Sequence, residues 1–317
     1  MLSFDVVCVG NAKIDAFLSI HEASQHLRLN KDTNELCIKS GEKIAVDKCE
    51  FLLGGNAANV AVGLSRLGLK SSLYAEIGDD ELSHKIINTL KKEDVHTENV
   101  KRSKDNECSI SVIINFKNER TIFSEHIQRL HDFTFDNLSA KWLYLTSIGN
   151  EWKTAYKRAV NFVKQTKTRV AFNPGTLQIA EGYKKIADVL SITDILFVNK
   201  EEATKVLSIK YKVLSIKELL TQLQKLGPKV VVITDGENGS YVIDEKGEML
   251  TQSIFKTKVI ERTGAGDAYS TGFLAAILHG LTIKDAMSWG AANSASVIEK
   301  IGAQAGLLRI DQIKKTL

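Results

Sequence analysis

The sequence is poor in cysteine and proline and has no long hydrophobic run. Among its 317 residues are 2 Pro and 4 Cys, and the cysteines, Cys8, Cys37, Cys49 and Cys108, form no C-x-x-C pair. This spacing argues against a disulfide framework or a zinc site and predicts reduced thiols. No run of ~18 apolar residues occurs, and the N-terminus lacks a signal-peptide pattern. We therefore expect a soluble cytoplasmic protein without a membrane partner.

An excess of charge of one sign is also absent. The 42 Lys and Arg residues against 38 Asp and Glu residues leave a net charge of +4, and the basic residues form no block, so we expect no nucleic-acid partner. A hydrophobic content of 44% with 21 Gly is typical of a folded globular protein, which excludes collagen-like, coiled-coil and disordered classes. No repeat, low-complexity stretch or linker marks a boundary, so we predict one domain over residues 1–317.

Short β-branched runs alternate with segments of helical apolar spacing along most of the chain. The predicted strands are Asp5–Val9, Ser71–Ile77, Trp142–Ser147, Arg169–Asn173, Ile195–Asn199 and Lys229–Thr234. The predicted helices are Ala57–Leu67, Leu82–Lys92, Trp152–Thr166, Ile216–Leu226 and Ala268–Leu278. This alternation predicts an α/β fold with a doubly wound, mostly parallel sheet flanked by helices. Ligands of such sheets bind beyond the carboxyl ends of the strands.

Two segments, at about 16–40 and 107–124, break the alternation. Within the second, residues 107–116 and 120–124 alternate in polarity and meet at the turn 117–119, as a hairpin would. These segments predict a small antiparallel sheet inserted into the domain. Because long non-helical insertions are often functional, we favour a β lid over a site rather than an edge extension of the main sheet.

A glycine-rich helix start precedes the last predicted helix. Gly264, Ala265 and Gly266 leave backbone N–H groups unobstructed, and these point with the helix dipole at an anion in front of them. Asp267 lies in the first turn, where it could simply cap the helix. A carboxylate beside an anion cradle would, however, repel a bound phosphate. Its presence there is therefore better explained by a chemical role than by capping. We therefore favour a general base next to a phosphoryl group in transfer.

Two further elements follow predicted strands or open predicted helices. Gly54 and Gly55 open a helix and would permit close backbone approach, while Asn59, one turn later, offers a donor and an acceptor. Asn11 and Asp15 follow the first strand, and Asp15 could accept hydrogen bonds from a vicinal diol. The alternatives are an Asn cap and a solvated loop carboxylate.

Four motifs, taken together, resemble those of the PfkB carbohydrate kinases, the ribokinase-like sugar kinases. Residues 54–59 (GGNAAN) are similar to the N-terminal motif of the family and residues 263–268 (TGAGDA) to its C-terminal motif. Residues 199–202 (NKEE) resemble its N-x-x-E motif and residues 234–239 (TDGENG) its T-x-G-x-x-G motif. The resemblance spans essentially the whole chain. It implies a ribokinase-like fold and phosphate transfer from ATP with Mg²⁺.

The resemblance also implies a role for each candidate residue. Asp267 would be the catalytic base, and Gly264, Ala265 and Gly266 would form the anion hole. The implied substrate-binding residues are Asn11, Asp15, Gly54, Gly55 and Asn59. The implied nucleotide-binding residues are Asn199, Glu202, Thr234, Gly236 and Asn293, with Glu202 holding Mg²⁺ through water. A monovalent cation, K⁺ in several relatives, would lie near Glu261, Thr263 and Gly302, although the family more often has Asp at the position of Glu261. The β lid forms a homodimer interface in some members.

The substrate class remains open between a small sugar and a nucleoside. A Glu with which ribokinases contact the sugar has no match in residues 145–149, and Asn56 and Ala57 replace their usual Lys-Gly. The pattern is closer to fructokinase-like, ketodeoxygluconate-kinase-like or nucleoside-kinase-like members. A dehydrogenase is excluded because no G-x-G-x-x-G follows the first strand, and a P-loop kinase because its motif is absent. A non-catalytic sugar-binding regulatory protein is a further alternative, against which the retained Asp267 argues.

Overall fold

The structure, a computed structural model, describes residues 3–20, 26–30, 32–33, 35–104, 106–116, 119–125, 127–209 and 213–317. The strands are β1 Ser3–Val9, β2 Lys13–Ile20, β3 Leu27–Asn30, β4 Glu35–Ile38, β5 Lys48–Gly54, β6 Ser71–Ile77, β7 Val100–Arg102, β8 Ile110–Phe116, β9 Glu119–Ser124, β10 Ser139–Thr146, β11 Arg169–Asn173, β12 Ile195–Asn199, β13 Val230–Thr234, β14 Ser240–Ile243 and β15 Met249–Gln252. The α-helices are α1 Asn56–Arg66, α2 Glu81–Lys92, α3 Trp152–Gln165, α4 Thr176–Ala180, α5 Ala187–Leu190, α6 Lys200–Val206, α7 Ile216–Gln224, α8 Ala265–Leu278, α9 Ile283–Val297 and α10 Ile310–Thr316.

A nine-stranded sheet forms the centre of the fold, in the order β15-β14-β13-β12-β11-β10-β1-β6-β7. Neighbouring strands are parallel from β13 to β7, whereas β14 pairs antiparallel with both β13 and β15. Helices α1, α2, α8 and α9 pack on one face, and α3, α6 and α7 on the other. Because both faces are covered, the central strands are nearly continuous apolar runs, as in ILFV of β12 and VVVI of β13. The predicted doubly wound α/β fold is confirmed.

The predicted lid is a second sheet, with the strand order β5-β2-β8-β9. Strand β2 pairs antiparallel with β5 and parallel with β8, and β8 and β9 form the predicted hairpin. The hairpin's turn at 117–118 lies outside the described residues. The predicted segments omitted β5, because its residues were assigned to the approach to the helix start at Gly54. The first predicted segment contributes to two sheets. Its strand β2 belongs to the lid sheet, whereas β3 and β4 form a separate hairpin.

The two faces of the lid sheet differ in polarity. Asp15 of β2 lies opposite Ser111 of β8, which in turn lies opposite Ser124 of β9. Side chains one residue further along each strand point to the other face. There Phe51 of β5 and Phe123 of β9 are 44% and 55% exposed. The lid therefore has one polar face and one exposed apolar face.

Two expectations from composition can be compared with the described chain. Cys8, Cys37, Cys49 and Cys108 are all free thiols, as predicted. None of the helices in the described ranges is both long and apolar enough to cross a membrane.

Candidate active site

Polar residues follow or end five neighbouring strands at one edge of the main sheet. They are Asn11 after β1, Ser147 after β10, Asn173 at the end of β11, Asn199 at the end of β12 and Thr234 at the end of β13. The strands are parallel, so these ends meet at one edge, where ligands of open α/β sheets bind. Asn173 was not among the predicted site residues, although its place at a strand end could have indicated it.

The start of α8 is an open anion cradle. Gly264 is the N-cap residue at φ +80, a conformation that favours glycine. The first i→i−4 bond of the helix runs from Ala268 N to Gly264 O, at 2.8 Å, so the N–H groups of Gly266 and Asp267 precede the helical ladder. The N–H of Ala265 instead donates to Arg262 O, at 3.3 Å. The cradle borders a cavity of about 260 Å³, and a Cβ at Gly266 would meet no neighbouring atom.

Asp267 lines that same cavity and does not cap its own helix. Its carboxylate accepts hydrogen bonds from Asn59 Nδ2 at 2.8 Å and from Asn56 Nδ2 at 3.2 Å, and no side-chain cap is formed at Gly264. Burial raises the pKa of Asp267 to about 7, although the two amide donors act to lower it. A carboxyl group with a pKa near neutrality can take a proton and release it again at physiological pH.

Asn59 positions this carboxylate. It is buried in α1, and while its Nδ2 binds Asp267, its Oδ1 accepts from Gln304 Nε2 at 2.9 Å. Both ends of the amide are thus engaged within the protein, whereas the sequence suggested that Asn59 holds sugar hydroxyls. Neither Asn56 nor Gln304 was among the predicted site residues.

Asp15, Gly54 and Gly55 form the lid side of the site. Asp15 is 5% exposed, and burial raises its pKa to about 6, with Lys13 and Ser111 acting to lower it. A Cβ at Gly54 would overlap the Asp15 carboxylate, and one at Gly55 would overlap the backbone of Asn11. Both glycines are therefore required by close approach, and the structure brings together the four residues predicted here.

A second cavity, of about 200 Å³, adjoins the cradle. Thr234 and Gly236, two of the candidate nucleotide-binding residues, line it together with Ala265 and Tyr269 of α8. Asn293 does not. It is fully buried between α8 and the chain before α10, with its Nδ2 on Ala268 O at 2.8 Å and its Oδ1 on Leu308 N at 2.9 Å. The prediction for Asn293 was wrong in placement, because its helix turns other residues, such as Ser294, toward the cavity.

Asn199 and Glu202 line the same cavity as Asp267. They form a capping box on α6, in which Asn199 Oδ1 accepts from Glu202 N and Glu202 Oε2 accepts from Asn199 N, each at 2.8 Å. Burial raises the pKa of Glu202. In the described ranges, no three His, Cys, Asp or Glu side chains cluster closely enough to hold a metal ion. The single carboxylate of Glu202 beside this cavity fits Mg²⁺. That ion usually keeps several waters and binds one or two carboxylates together with substrate phosphates.

The motifs, the fold and this geometry agree with the comparisons to known proteins. Residues 6–310 match the pfkB family of carbohydrate kinases. The chain belongs to this family. It is 25% identical to a 5-dehydro-2-deoxygluconokinase of Clostridium perfringens, over 98% of this chain and 92% of that protein. It is also 25% identical to a nucleoside kinase of Methanocaldococcus jannaschii, over 98% of this chain and 96% of that protein.

The fold of this pfkB-family kinase matches solved ribokinase structures. Arabidopsis thaliana ribokinase complexed with ribose and ATP superposes with a TM-score of 0.78 at 20% identity, covering 99% of this chain and 98% of that one. The predicted family, the ribokinase-like fold class and the assignment as a kinase are confirmed.

The three residues predicted for a monovalent cation in this kinase have different surroundings. Glu261 is 3% exposed, and its Oε1 accepts from the N–H and the hydroxyl of Thr263, at 2.7 and 2.6 Å. Its Oε2 is buried without a hydrogen-bond partner among the described residues. Gly302, at φ +90, lies against Leu52 of the lid. Glu261 therefore has one buried carboxylate oxygen that no described hydrogen bond satisfies, whereas Gly302 lies in contact with an apolar side chain of the lid.

Arg120 of β9 brings a positive charge from the lid to the cavity that contains Asp267. Its Nε is 3.8 Å from Glu261 Oε1, and it lines the cavity that also contains Asp267 and Gly266. Sequence analysis missed Arg120, since no motif surrounds it and only the folding of the lid brings it to the site.

Proposed function

We propose that this kinase transfers the γ-phosphate of ATP to a hydroxymethyl group of a small sugar, with Asp267 as general base. The observation that carries the proposal is that the Asp267 carboxylate and the open N–H groups of Gly266 and Asp267 border one cavity. Since Asp267 binds side chains of α1 instead of capping α8, it is held in place and remains free to accept a proton.

In the proposed step, the substrate hydroxyl oxygen forms a bond to the γ-phosphorus while the bond between that phosphorus and the ADP oxygen breaks. The hydroxyl proton passes to the carboxylate of Asp267. The open N–H groups of Gly266 and Asp267 at the start of α8 stabilise the charge on the transferred phosphoryl group. A base with a pKa raised to about 7 by burial is stronger than an ordinary carboxylate and is still partly ionised at neutral pH.

The remaining residues are assigned roles according to their positions around the two cavities. Asp15, Gly54 and Gly55, with Asn11 behind them, would hold the sugar hydroxyls, and Thr234 and Gly236 would contact the nucleotide. Asn199 and Glu202 would hold Mg²⁺ through water, and the ion would neutralise charge on the phosphates. ATP use by the ribokinase of the same fold, which was solved with ribose and ATP, supports this arrangement.

A nucleoside is the second candidate for the acceptor. The Methanocaldococcus jannaschii nucleoside kinase supports this candidate, because it is 25% identical over 98% of this chain. The Clostridium perfringens 5-dehydro-2-deoxygluconokinase, which supports a sugar, has the same identity over the same share of the chain. Both acceptors present a hydroxymethyl group, so the same base and cradle serve either one. A third possibility, a sugar-binding protein without turnover, would not require Asp267 as a base.

The test is ADP release from ATP and Mg²⁺ with ribose, fructose, 2-keto-3-deoxygluconate, 5-dehydro-2-deoxygluconate, adenosine, inosine and cytidine. With the accepted compound, Asp267→Asn should lower kcat by ~10²–10⁴ and leave ligand binding nearly unchanged. Asp285→Asn is the matched control, because Asp285 occupies the same helical position in α9 but caps that helix at an exposed site. Near-normal turnover in Asp267→Asn would refute the mechanism. Binding without turnover in the wild type would favour the non-catalytic alternative.

A further inference from the structure

Three consecutive residues between α9 and α10 contact three different parts of the candidate site. Gly302 lies against the lid, and Ala303 lies against the glycine that begins α8. Gln304 reaches α1, where its Nε2 donates to Asn59 Oδ1 at 2.9 Å. The segment 302–304 therefore connects the lid, the anion cradle and the helix whose side chains hold the proposed base.

The contact from Gln304 decides how the amide of Asn59 is oriented. An ionised carboxylate only accepts hydrogen bonds, so the amide nitrogen of Asn59 faces Asp267, at 2.8 Å. The amide oxygen then faces Gln304, which supplies the donor that this oxygen needs. Asn59 is 4% exposed, and a buried polar atom without a partner is costly. In the reverse orientation, two acceptors would meet at Asp267 and two donors at Gln304.

Gln304 is itself fixed through its backbone. Arg66, the last residue of α1, donates through Nη1 to Gln304 O at 2.6 Å and to Leu307 O at 3.1 Å. The other side of the same guanidinium donates to both carboxylate oxygens of Glu93, at 2.9 and 2.6 Å, and these bonds hold the pKa of Glu93 below its ordinary value. Such two-point pairs between arginine and a carboxylate are among the strongest hydrogen-bonded contacts in proteins. The position from which Gln304 reaches Asn59 is therefore well determined.

Gln304 and Asn59 support the base from behind. The lining of the cavity that contains Asp267 includes neither of them, although it includes Asn56. A group bound in this cavity would thus meet the carboxylate of Asp267 before it met either amide. An effect of Gln304 on turnover is therefore expected to pass through Asn59 and Asp267.

Several ionisable side chains from other elements also face Asp267. They are Glu202 of α6, Asp15 of β2, Arg120 of β9, Arg262 before α8 and Tyr144 of β10. Burial raises the pKa of Asp267 to about 7, and the amide donors act against this rise. An uncharged substitute for Gln304 leaves all of these ionisable groups in place. A change in the pKa of Asp267 in such a variant therefore reports on the amide of Asn59.

On the basis of the proposed function, we propose that Gln304 is a positioning residue for the base. It holds the amide of Asn59 with its nitrogen toward Asp267 and so stabilises the ionised carboxylate that accepts the substrate proton. Arg66 fixes the backbone from which Gln304 acts. The same short segment that contacts the lid and the anion cradle thus also adjusts the base.

The test is the pKa of Asp267, measured without substrate. The protein is labelled with ¹³C at its aspartate carboxyl groups and titrated by NMR, and the signal is assigned with Asp267→Asn. Gln304→Met keeps a similar length but removes the donor, and it should raise the pKa by about 0.5–1 unit, the range for one hydrogen bond between neutral groups. Gln224→Met is the matched control and should leave the pKa unchanged. Gln224 is also half-buried and donates through Nε2, but to backbone oxygens beside the amino end of β13.

A double substitution shows whether Gln304 acts through Asn59. In the Asn59→Leu variant the amide is gone, so Gln304→Met should add no further shift. An equal shift with and without Asn59 would overturn the proposal, as would an unmoved pKa in Gln304→Met. If Gln304→Met does not fold, Gln304→Glu takes its place. Its carboxylate would attract the amide nitrogen of Asn59, so its shift should be larger with Asn59 than with leucine there, and equal shifts would overturn the proposal.

Kinetics separate this role from a purely structural one. With an accepted substrate, the acidic limb of the plot of kcat/KM against pH should move in Gln304→Met by the same amount as the pKa, while the plateau at high pH stays near that of the wild type. A lower plateau with an unmoved limb would overturn the proposal. If no compound is phosphorylated, the proposed function fails, and the NMR titration still supports or overturns the role of Gln304.

Discussion

Asn59→Leu should shift the pH dependence of turnover to higher pH. Asn59 Nδ2 donates the shorter of the two amide hydrogen bonds to the Asp267 carboxylate, at 2.8 Å against 3.2 Å for Asn56. A donor to a carboxylate stabilises its ionised form and lowers its pKa. Because leucine has a similar volume but no donor, its introduction should raise the pKa of Asp267 above the value of about 7 in the wild type.

The size of the shift follows from the strength of this one hydrogen bond. A hydrogen bond to a charged group contributes about 1.5–3 kcal/mol, and about 1.4 kcal/mol corresponds to one pH unit. The acidic limb of the plot of kcat/KM against pH should therefore move to higher pH by about 1–2 pH units. Since the base must be ionised to accept the proton, kcat/KM at neutral pH should fall by ~5–50-fold and recover in alkaline buffer.

The assay is kcat/KM from about pH 5.5 to 10 for the wild type and for Asn59→Leu, using the substrate found in the ADP-release assay. Asn56→Leu is the matched control, and its limb should move less, because the hydrogen bond from Asn56 is longer and Asn56 is only half-buried. A lower plateau with an unmoved limb would refute the reasoning. It would show that Asn59 acts on the substrate, as the sequence suggested, and does not tune the base.

Three further predictions concern the lid and the chain around it. Arg120→Gln should lower kcat by ~10–10²-fold with a smaller change in KM, because it removes a positive charge from the cavity proposed to bind the phosphates. Steady-state kinetics that show a raised KM with kcat unchanged would contradict this role. Replacing K⁺ by tetramethylammonium should lower kcat if a cation contacts the buried Oε2 of Glu261, and Glu261→Gln should remove that dependence; identical rates in the two salts would exclude it. We also propose a homodimer through the apolar face of the lid, so Phe51→Asp with Phe123→Asp should convert a dimer to a monomer in light scattering. A wild-type monomer would refute this interface.

The sequence was sufficient for the six central strands of the main sheet, from β13 to β6, because their local signals agree with their tertiary environment, whereas β7, β14 and β15 were not predicted. Strands such as β12 and β13 are apolar throughout and lie between two helical layers, so periodicity and burial give the same answer. Helix α9 was not predicted from apolar spacing. It is buried on several sides, and it approaches α8 so closely that a Cβ at Gly290 would come within 2.9 Å of Tyr269 O. A helix buried in this way has no single apolar stripe to detect.

The proposed base, Asp267, and its glycine-rich cradle could be proposed from sequence, because they lie within a few residues of one another and border one cavity. The partners of Asp267 could not. Asn59 is 208 positions away from Asp267, and Arg120 reaches the cavity only because β9 folds over it as part of the lid.

The sequence by itself therefore determined the family and the fold class of this kinase, and it singled out the base and the anion cradle that we propose. The tertiary structure decided which polar groups surround that base, where Asn293 is placed and which charges face the substrate. The physical reason is that the pKa of a buried carboxylate and the charge of a pocket depend on distances between chain segments that are far apart in sequence. Local periodicity and spacing contain no information on those distances.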